Sequence, residues 1–271
     1  MRRSKVLARL RSGKHAHICA TGHFLPFYVR HAAHNGYDGI WFDLEHRTLD
    51  EREVQAFIAL CHLNDIDCMV RPKTMQRSEL YHYLEDGAAG FMVPFVSTPQ
   101  YAADLVSALK FPPLGNRGVD GAGLDGGYGL DVWKPDTTYF ADANRETFIV
   151  AQIETPEAVR NAEAIAAVPG IDLLFVGPAD LGRRLAVAEG ADRMTLDEAF
   201  AAVASAAKRH GKAWGTTAGS LSELEARLKM GAQMVPCGGD FALAAVLAKC
   251  GQELNRLDSA ARREDGWPTE D

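Results

Sequence analysis

Short apolar runs alternate along the chain with longer stretches whose apolar positions recur at helical spacing. Eight runs of four to seven residues read as strands: His17–Ala20, Gly39–Asp43, Cys68–Arg71, Gly90–Pro94, Phe148–Glu154, Asp172–Gly177, Ala213–Thr217 and Gln233–Gly238. Nearly all their positions are apolar, as in parallel strands covered on both faces. Helical patterns lie near residues 25–35, 50–64, 76–87, 99–110, 156–167, 196–210 and 220–230, with a last one near 240–254. A lead-in helix with Val6, Leu7 and Leu10 on one face precedes the first strand. Asp50 with Glu53, and Ser220 with Glu223, have capping-box spacing, and Gly36, Gly87, Gly211 and Gly231 follow helical runs where a left-handed residue is wanted. Eight βα units with right-handed crossovers predict a TIM (β/α)8 barrel as a single domain over residues 1–259, with a loose charged tail at 260–271.

One stretch breaks the rhythm. Between the fourth and fifth strands, Phe111 to Asn144 includes a segment rich in Gly and Pro, FPPLGNRGVDGAGLDGGYGLDVWKPD. Loops this long in compact domains are usually functional or disordered. The part from Arg117 to Tyr139 is expected to wall the substrate side of a pocket at the barrel mouth, with a subunit contact or surface loop as the plainer alternative.

Composition narrows the class. Of 271 residues 47% are hydrophobic and 24% charged, enough for a large core, and the net charge of −7 argues against nucleic acid as a partner. No apolar run approaches the ~20 residues that span a bilayer, and the basic N-terminal stretch lacks a signal peptide's apolar region. Five scattered cysteines without a CxxC read as reduced thiols, which predicts a cytoplasmic protein.

In a parallel barrel the chemistry sits at the carboxyl ends of the strands. There the sequence places Asp43, Glu45 and His46 after the second strand and Arg71 at the end of the third. Gln152 and Glu154 end the fifth, Gly177 to Asp180 follow the sixth, and Thr216 and Thr217 end the seventh. Glu154 and Asp180 read either as helix caps or as hard oxygen ligands; together at one mouth they favour a divalent cation such as Mg²⁺, Mn²⁺ or Co²⁺. His46 reads as a surface histidine or as a general base whose tautomer Asp43 sets. Arg71 reads as a structural ion-pair partner or as a fork for an oxyanion. The Gly177–Asp180 turn offers backbone N–H groups to an anion. Lys73, near the rim, is the residue a Schiff-base mechanism would need.

These motifs, in this order, resemble the HpcH/HpaI aldolase family of metal-dependent pyruvate aldolases, in the phosphoenolpyruvate/pyruvate barrel superfamily. The resemblance rests on GYDGIWFDLEH (36–46), VRP (70–72), DGAAGFMVPFV (86–96), FPPLGNRGV (111–119), QIETPEA (152–158) and FVGPADL (175–181), and continues weakly through GAQMVPCGGD (231–240). It implies metal binding by Glu154 and Asp180, and an acid/base pair of Asp43 and His46. It also implies enolate stabilisation by Arg71, and pyruvate contacts from Gln152 and the backbone of Gly177 and Ala179. It implies a class II aldolase that cleaves a 4-hydroxy-2-oxo acid to pyruvate and an aldehyde, in a homo-oligomer, typically a hexamer with an exchanged C-terminal helix. Other enolate-forming lyases of the superfamily, such as an oxaloacetate decarboxylase or an acyl-CoA lyase, and a non-catalytic oxo-acid-binding barrel, are the rivals. The chain departs from the family pattern in its strand-one loop, TGHFLPF, and in the segment after Val119.

Overall fold

The computed structural model describes residues 1–264. Seven parallel strands form one sheet in sequence order: β1 (Ile18–Thr21), β2 (Gly39–Asp43), β3 (Asp67–Arg71), β4 (Gly90–Val93), β5 (Phe148–Ile153), β6 (Leu173–Val176) and β7 (Ala213–Thr216). Around them run α1 (Lys5–Arg11), α2 (Pro26–His34), α3 (Glu51–Leu63), α4 (Arg77–Glu85), α5 (Pro99–Leu109) and α6 (Tyr139–Glu146). The second half adds α7 (Pro156–Arg160), α8 (Ala162–Ala166), α9 (Pro178–Leu185), α10 (Leu196–Arg209), α11 (Leu221–Lys229) and α12 (Ala242–Glu264).

The expected eighth strand is a closing segment and not a regular strand. Residues 233–240 bond to both edges. Thr216 N–H donates to Met234 and Gln233 N–H to Trp214, while Ala16 N–H donates to Gln233, Cys237 N–H to Ile18 and Ala20 N–H to Gly238, at 2.8–3.1 Å. The ladder is broken because Pro236 has no N–H to donate and Gly238 turns to φ +89°. The ring therefore closes as a TIM-type barrel through bridges at Met234 and Gly239. β7 approaches so closely that a Cβ at Gly215 would lie 2.3 Å from the Met234 carbonyl oxygen.

Side chains of a strand alternate between two cores. Ile18, Met69, Met92, Phe148, Val150, Leu173, Phe175, Ala213 and Met234 fill the barrel interior. Ile40, Phe42, Val70, Ile149, Ala151, Ile153 and Leu174 face the helices. Helix α1 plugs the floor through Val6 and Leu7. It is tied there by fully buried Asp67, which accepts from the Ser4 hydroxyl at 2.6 Å and the Val6 N–H at 2.9 Å and pairs with Arg2.

Local signals hold with exceptions. Asp50 and Glu53 form a reciprocal capping box, whereas Glu223 turns its carboxylate to Gly219 N–H and leaves Ser220 to cap α11 alone. The four helix-ending glycines all have positive φ. The pattern over 156–167 splits into α7 and α8 at Asn161. Helices α6 and α9 add to the expected set. Helix α12 runs past the expected end and takes in the first residues of the predicted tail; residues 265–271 lie outside the described residues.

The long segment after α5 is placed differently from the expectation. Helix α5 returns the chain to the amino-terminal end of the barrel before the segment begins, so residues 111–138 pack under the floor. The Met1 ammonium pairs with Asp131 at 3.3 Å, Met1 packs on Phe111, Val132 and Tyr139, and a Cβ at Gly123 would lie 2.6 Å from the Glu85 carbonyl oxygen. Buried Asp125 accepts from Arg117 Nη2 at 2.9 Å and from the Tyr139 hydroxyl at 2.6 Å. Within one chain this segment lies at the opposite end from the rim residues and does not wall their pocket.

Replacing Asp67 by Ala strips buried donors at Ser4 and Val6 and leaves Arg2 without its buried partner. A stability loss of about 3–5 kcal/mol is expected in chemical denaturation; a loss under about 1 kcal/mol would show that the floor does not depend on this carboxylate.

Candidate active site

Strand alternation aims the rim residues. Trp41 and Met69 face the interior, so Asp43 and Arg71, two residues on, continue the inner face at the mouth. Val150 likewise leads to Gln152 and then Glu154, and Phe175 leads to Gly177. Asp43, Arg71, Gln152 and Glu154 of the predicted set thus share the inner face of the barrel at its mouth.

Arg71 is the hub of the β2–β3 side. Its Nε and Nη2 donate to Asp43 Oδ1 and Oδ2 at 2.9 and 2.8 Å, its Nη1 lies 3.2 Å from Glu45 Oε2, and its guanidinium covers the Trp41 ring at 4.9 Å. Burial works to raise the Asp43 carboxyl, but the hydrogen bond and charge of Arg71 outweigh it and hold Asp43 below its ordinary value. Asp43 Oδ1 also accepts from the backbone N–H of Glu45 at 3.1 Å and of His46 at 3.4 Å. The expected side-chain pair of Asp43 and His46 is not formed. The bidentate Arg71 fork takes the carboxylate, and the exposed His46 ring lies with Nε2 3.6 Å from Glu45 Oε2.

On the β5–β6 side Glu154 is 4% exposed. Its Oε2 accepts from Phe95 N–H at 3.1 Å and its Oε1 from Gln152 Nε2 at 3.3 Å. Phe95 reaches it from a left-handed backbone conformation, φ +54°, which is strained for a bulky residue and is held by its neighbours. Burial pushes Glu154 up to about 7; the charges of Glu45 and Asp180 add to the rise, while the Phe95 N–H and Arg71 oppose it. Gly177 makes room for this carboxylate: a Cβ there would sit 2.3 Å from Glu154 Oε1. Asp180 stands in the first turn of α9, with Oδ1 2.9 Å from Arg184 Nη1.

The backbone donors are distributed differently from the expectation. Gly177 N–H is spent on the Ile153 carbonyl at 3.2 Å. The N–H groups of Ala179 and Asp180, in the first turn of α9, have no acceptor within the helix and are the ones open to an anion. Thr216 is structural, its buried hydroxyl donating to the Val176 carbonyl at 2.9 Å. The residues missed in the sequence are Phe95, which acts through its backbone and carries no side-chain signal, and Arg184, whose spacing of four from Asp180 was legible. Glu45 was on the rim list without a role.

The donor set fits a hard divalent cation. Asp180 is near enough for its charge to raise Glu154, Gly177 leaves the cradle unfilled, and Gln152 Oε1 and Trp41 Nε1 are buried on the inner wall with no hydrogen-bond partner among the described residues. Among those residues no three His, Cys, Asp or Glu side chains converge on a single point.

Comparison with known proteins shows the family. Residues 23–245 match the sequence profile described as HpcH/HpaI aldolase/citrate lyase. The chain is 33% identical over 206 residues to 5-keto-4-deoxy-D-glucarate aldolase of Klebsiella pneumoniae, covering 76% of this chain and 78% of that protein. It is 32% identical over 212 residues to 2-keto-3-deoxy-L-rhamnonate aldolase of the same organism, covering 78% of each. The crystal structure of an HpcH/HpaI aldolase from Desulfitobacterium hafniense superposes with a TM-score of 0.81 at 29% identity, covering 92% of this chain and 96% of that one. The chain belongs to the HpcH/HpaI aldolase/citrate lyase family, and it is a lyase of the aldolase type.

Proposed function

We propose that the chain is a divalent-cation-dependent, class II pyruvate aldolase of the cytoplasm that cleaves a 4-hydroxy-2-oxo acid of sugar-acid type reversibly to pyruvate and an aldehyde. The observation that carries this reading is the buried Glu154 carboxylate, set among the charges of Asp180, Glu45 and Arg71 on the inner wall of the mouth. The sugar-acid aldolases at 33% and 32% identity support the substrate class.

Glu154 and Asp180 would hold the ion, Mg²⁺, Mn²⁺ or Co²⁺, which when bound supplies a Lewis acid to the carboxylate and C2 oxygens of the 2-oxo acid. The Ala179 and Asp180 N–H groups face the substrate carboxylate, and Gln152, which gives one amide hydrogen to Glu154, has a second N–H for the same ligand. Gly177 serves by lacking a side chain. Arg71, gripped by Asp43 and Glu45, keeps N–H hydrogens on Nη1 and Nη2 for the oxygen that gains charge as the C3–C4 bond breaks. His46, with Nε2 3.6 Å from Glu45 Oε2, takes the C4 hydroxyl proton. Asp43 holds the 43–46 turn and Arg71 in place.

The enzyme is proposed to work as a homo-oligomer. Helix α12 exposes Leu243, Val246, Leu247, Leu254 and Leu257 at helical spacing, a stripe that a second copy would cover, as in the exchanged helix and hexamer implied by the family. Ending the chain after Phe241 should reduce the assembly to smaller species in light scattering. A wild-type chain that is monomeric at assay concentration would contradict this.

Glu154→Gln and Asp180→Asn should each abolish cation-stimulated pyruvate release while the fold persists; release that continues after exhaustive chelation would contradict a class II mechanism. Arg71→Lys should lose roughly 10²-fold in kcat and His46→Ala roughly 10²–10⁴-fold. Unchanged turnover in both would move the chemistry elsewhere.

A further expectation concerns pH. The folded Glu154 titrates near 7, above its ordinary 4.5, so between those values the folded chain binds more protons than the unfolded one. The contribution of this group to stability is complete below about 4.5 and is lost as pH rises through about 7. The cation-free Glu154→Gln variant should therefore melt above the wild type at pH 8, with a margin that shrinks as pH falls to 4.5. A margin independent of pH would show that Glu154 is not buried as described.

A further inference from the structure

β1 and the closing segment end side by side at the mouth, and their last residues form a second histidine–carboxylate pair. Asp240 is buried; its Oδ2 accepts from the Thr21 hydroxyl at 3.0 Å and Gly22 N–H at 2.9 Å, and lies 2.6 Å from His23 Nδ1. Held by the Thr21 hydroxyl and the Gly22 N–H, this carboxylate fixes the ring with Nδ1 protonated and Nε2 outward. No partner meets Nε2 among the described residues. Arg47 crosses the same corner. It lies against Gly22, where a Cβ would come 2.4 Å from Arg47 Cγ, and its guanidinium covers the Phe241 ring at 4.8 Å. The His23 ring meets the same Phe241, with centroids 5.8 Å apart. Arg47 Nη1 donates to the His46 carbonyl at 2.8 Å, and among the described residues no carboxylate lies within ion-pair distance of its guanidinium.

The order of elements around the rim gives this corner its direction. The cation and pyruvate side lies at β5 and β6, Arg71 on β3 and the C4 proton acceptor His46 after β2. A substrate laid out in that order would run on beyond C4 toward β1 and the closing segment, which follow β2 around the ring. We propose that Arg47 and His23, braced by Asp240 and Phe241, form a distal subsite for a second carboxylate on the aldehyde half, so that the preferred substrate is a 2-oxo acid with a carboxylate at each end. This deepens the aldolase reading and rests on it. A carboxylate there meets a permanent cation that has no ion-pair partner among the described residues, and an imidazole whose Nε2 becomes a donor on protonation. A hydroxymethyl or methyl end leaves Arg47 unneutralised.

The test compares 2-keto-3-deoxy-D-glucarate with 2-keto-3-deoxy-D-gluconate, six-carbon 2-oxo acids of the same C4 and C5 configuration that differ in having a carboxylate or a hydroxymethyl at the far end. Pyruvate release is followed in Mg²⁺ with the full-length wild type, Arg47→Gln, Arg47→Lys and His23→Gln. The wild type should have the higher kcat/KM on the dicarboxylate. Arg47→Gln should lower the dicarboxylate-to-hydroxymethyl ratio of kcat/KM by about tenfold or more, the size of a lost charge-assisted hydrogen bond. Arg47→Lys should recover part of the ratio, and His23→Gln should lower it less than Arg47→Gln does. A wild-type preference for the hydroxymethyl substrate, or a ratio that Arg47→Gln leaves unchanged, would overturn the subsite. Exchange of pyruvate C3 protons with solvent deuterium, read by NMR on the wild type, separates the two levels of failure. Exchange without the dicarboxylate preference rejects the subsite alone, and neither exchange nor cleavage rejects the aldolase reading with it.

Discussion

The structure depends on the two-residue alternation of parallel strands inside a closed barrel. Because successive side chains face opposite cores, one polar residue at a strand end is enough to commit the inner face to chemistry once the apolar positions below it fill the interior. Met69 below Arg71, Trp41 below Asp43 and Val150 below Gln152 are three instances. A register slip of one residue would turn all of these groups toward the helices. The apolar filling and the α1 plug therefore position the rim at the other end of the barrel, and buried Asp67 at the floor belongs to the same arrangement as Arg71 four residues later.

Electrostatics at the mouth divides into two halves. On the β2–β3 side charges are matched: Arg71 sits between Asp43 and Glu45, and Asp43 is held ionised. On the β5–β6 side they are not. Glu154 is buried beside carboxylates, its nearest compensation being a single backbone N–H from a strained Phe95, and its proton affinity rises in consequence. A fold tolerates such a group when a ligand neutralises it, and strain with an unbalanced charge at the same point is the physical mark of a binding site.

Much of this was legible in the sequence. Seven of the eight apolar runs read as strands are regular strands, and the acids and arginine that interrupt those runs marked the mouth. What was hidden had definite causes. The closing segment has the apolar content of a strand, but Pro236 lacks the donor that a ladder requires. The glycine-rich segment was read from its place after the fourth strand, without counting that α5 reverses the direction of the chain. Phe95 works through a backbone N–H, which every residue but proline possesses. Asp43 and His46 are close in sequence, yet Arg71, arriving from β3, captures the carboxylate, a long-range competition that spacing does not report. His23 and Asp240 lie 217 positions apart and meet only because the barrel closes.

The central claim is that Glu154 and Asp180 share a divalent cation in contact with a 2-oxo acid. Crystals grown with Mn²⁺ and pyruvate, measured at the manganese absorption edge, test it most directly. The account predicts an anomalous peak bonded to one oxygen of each carboxylate, with pyruvate oxygens completing the coordination beneath Arg71. A fully occupied pyruvate with no anomalous peak between the two carboxylates, or a peak bound elsewhere, would contradict it.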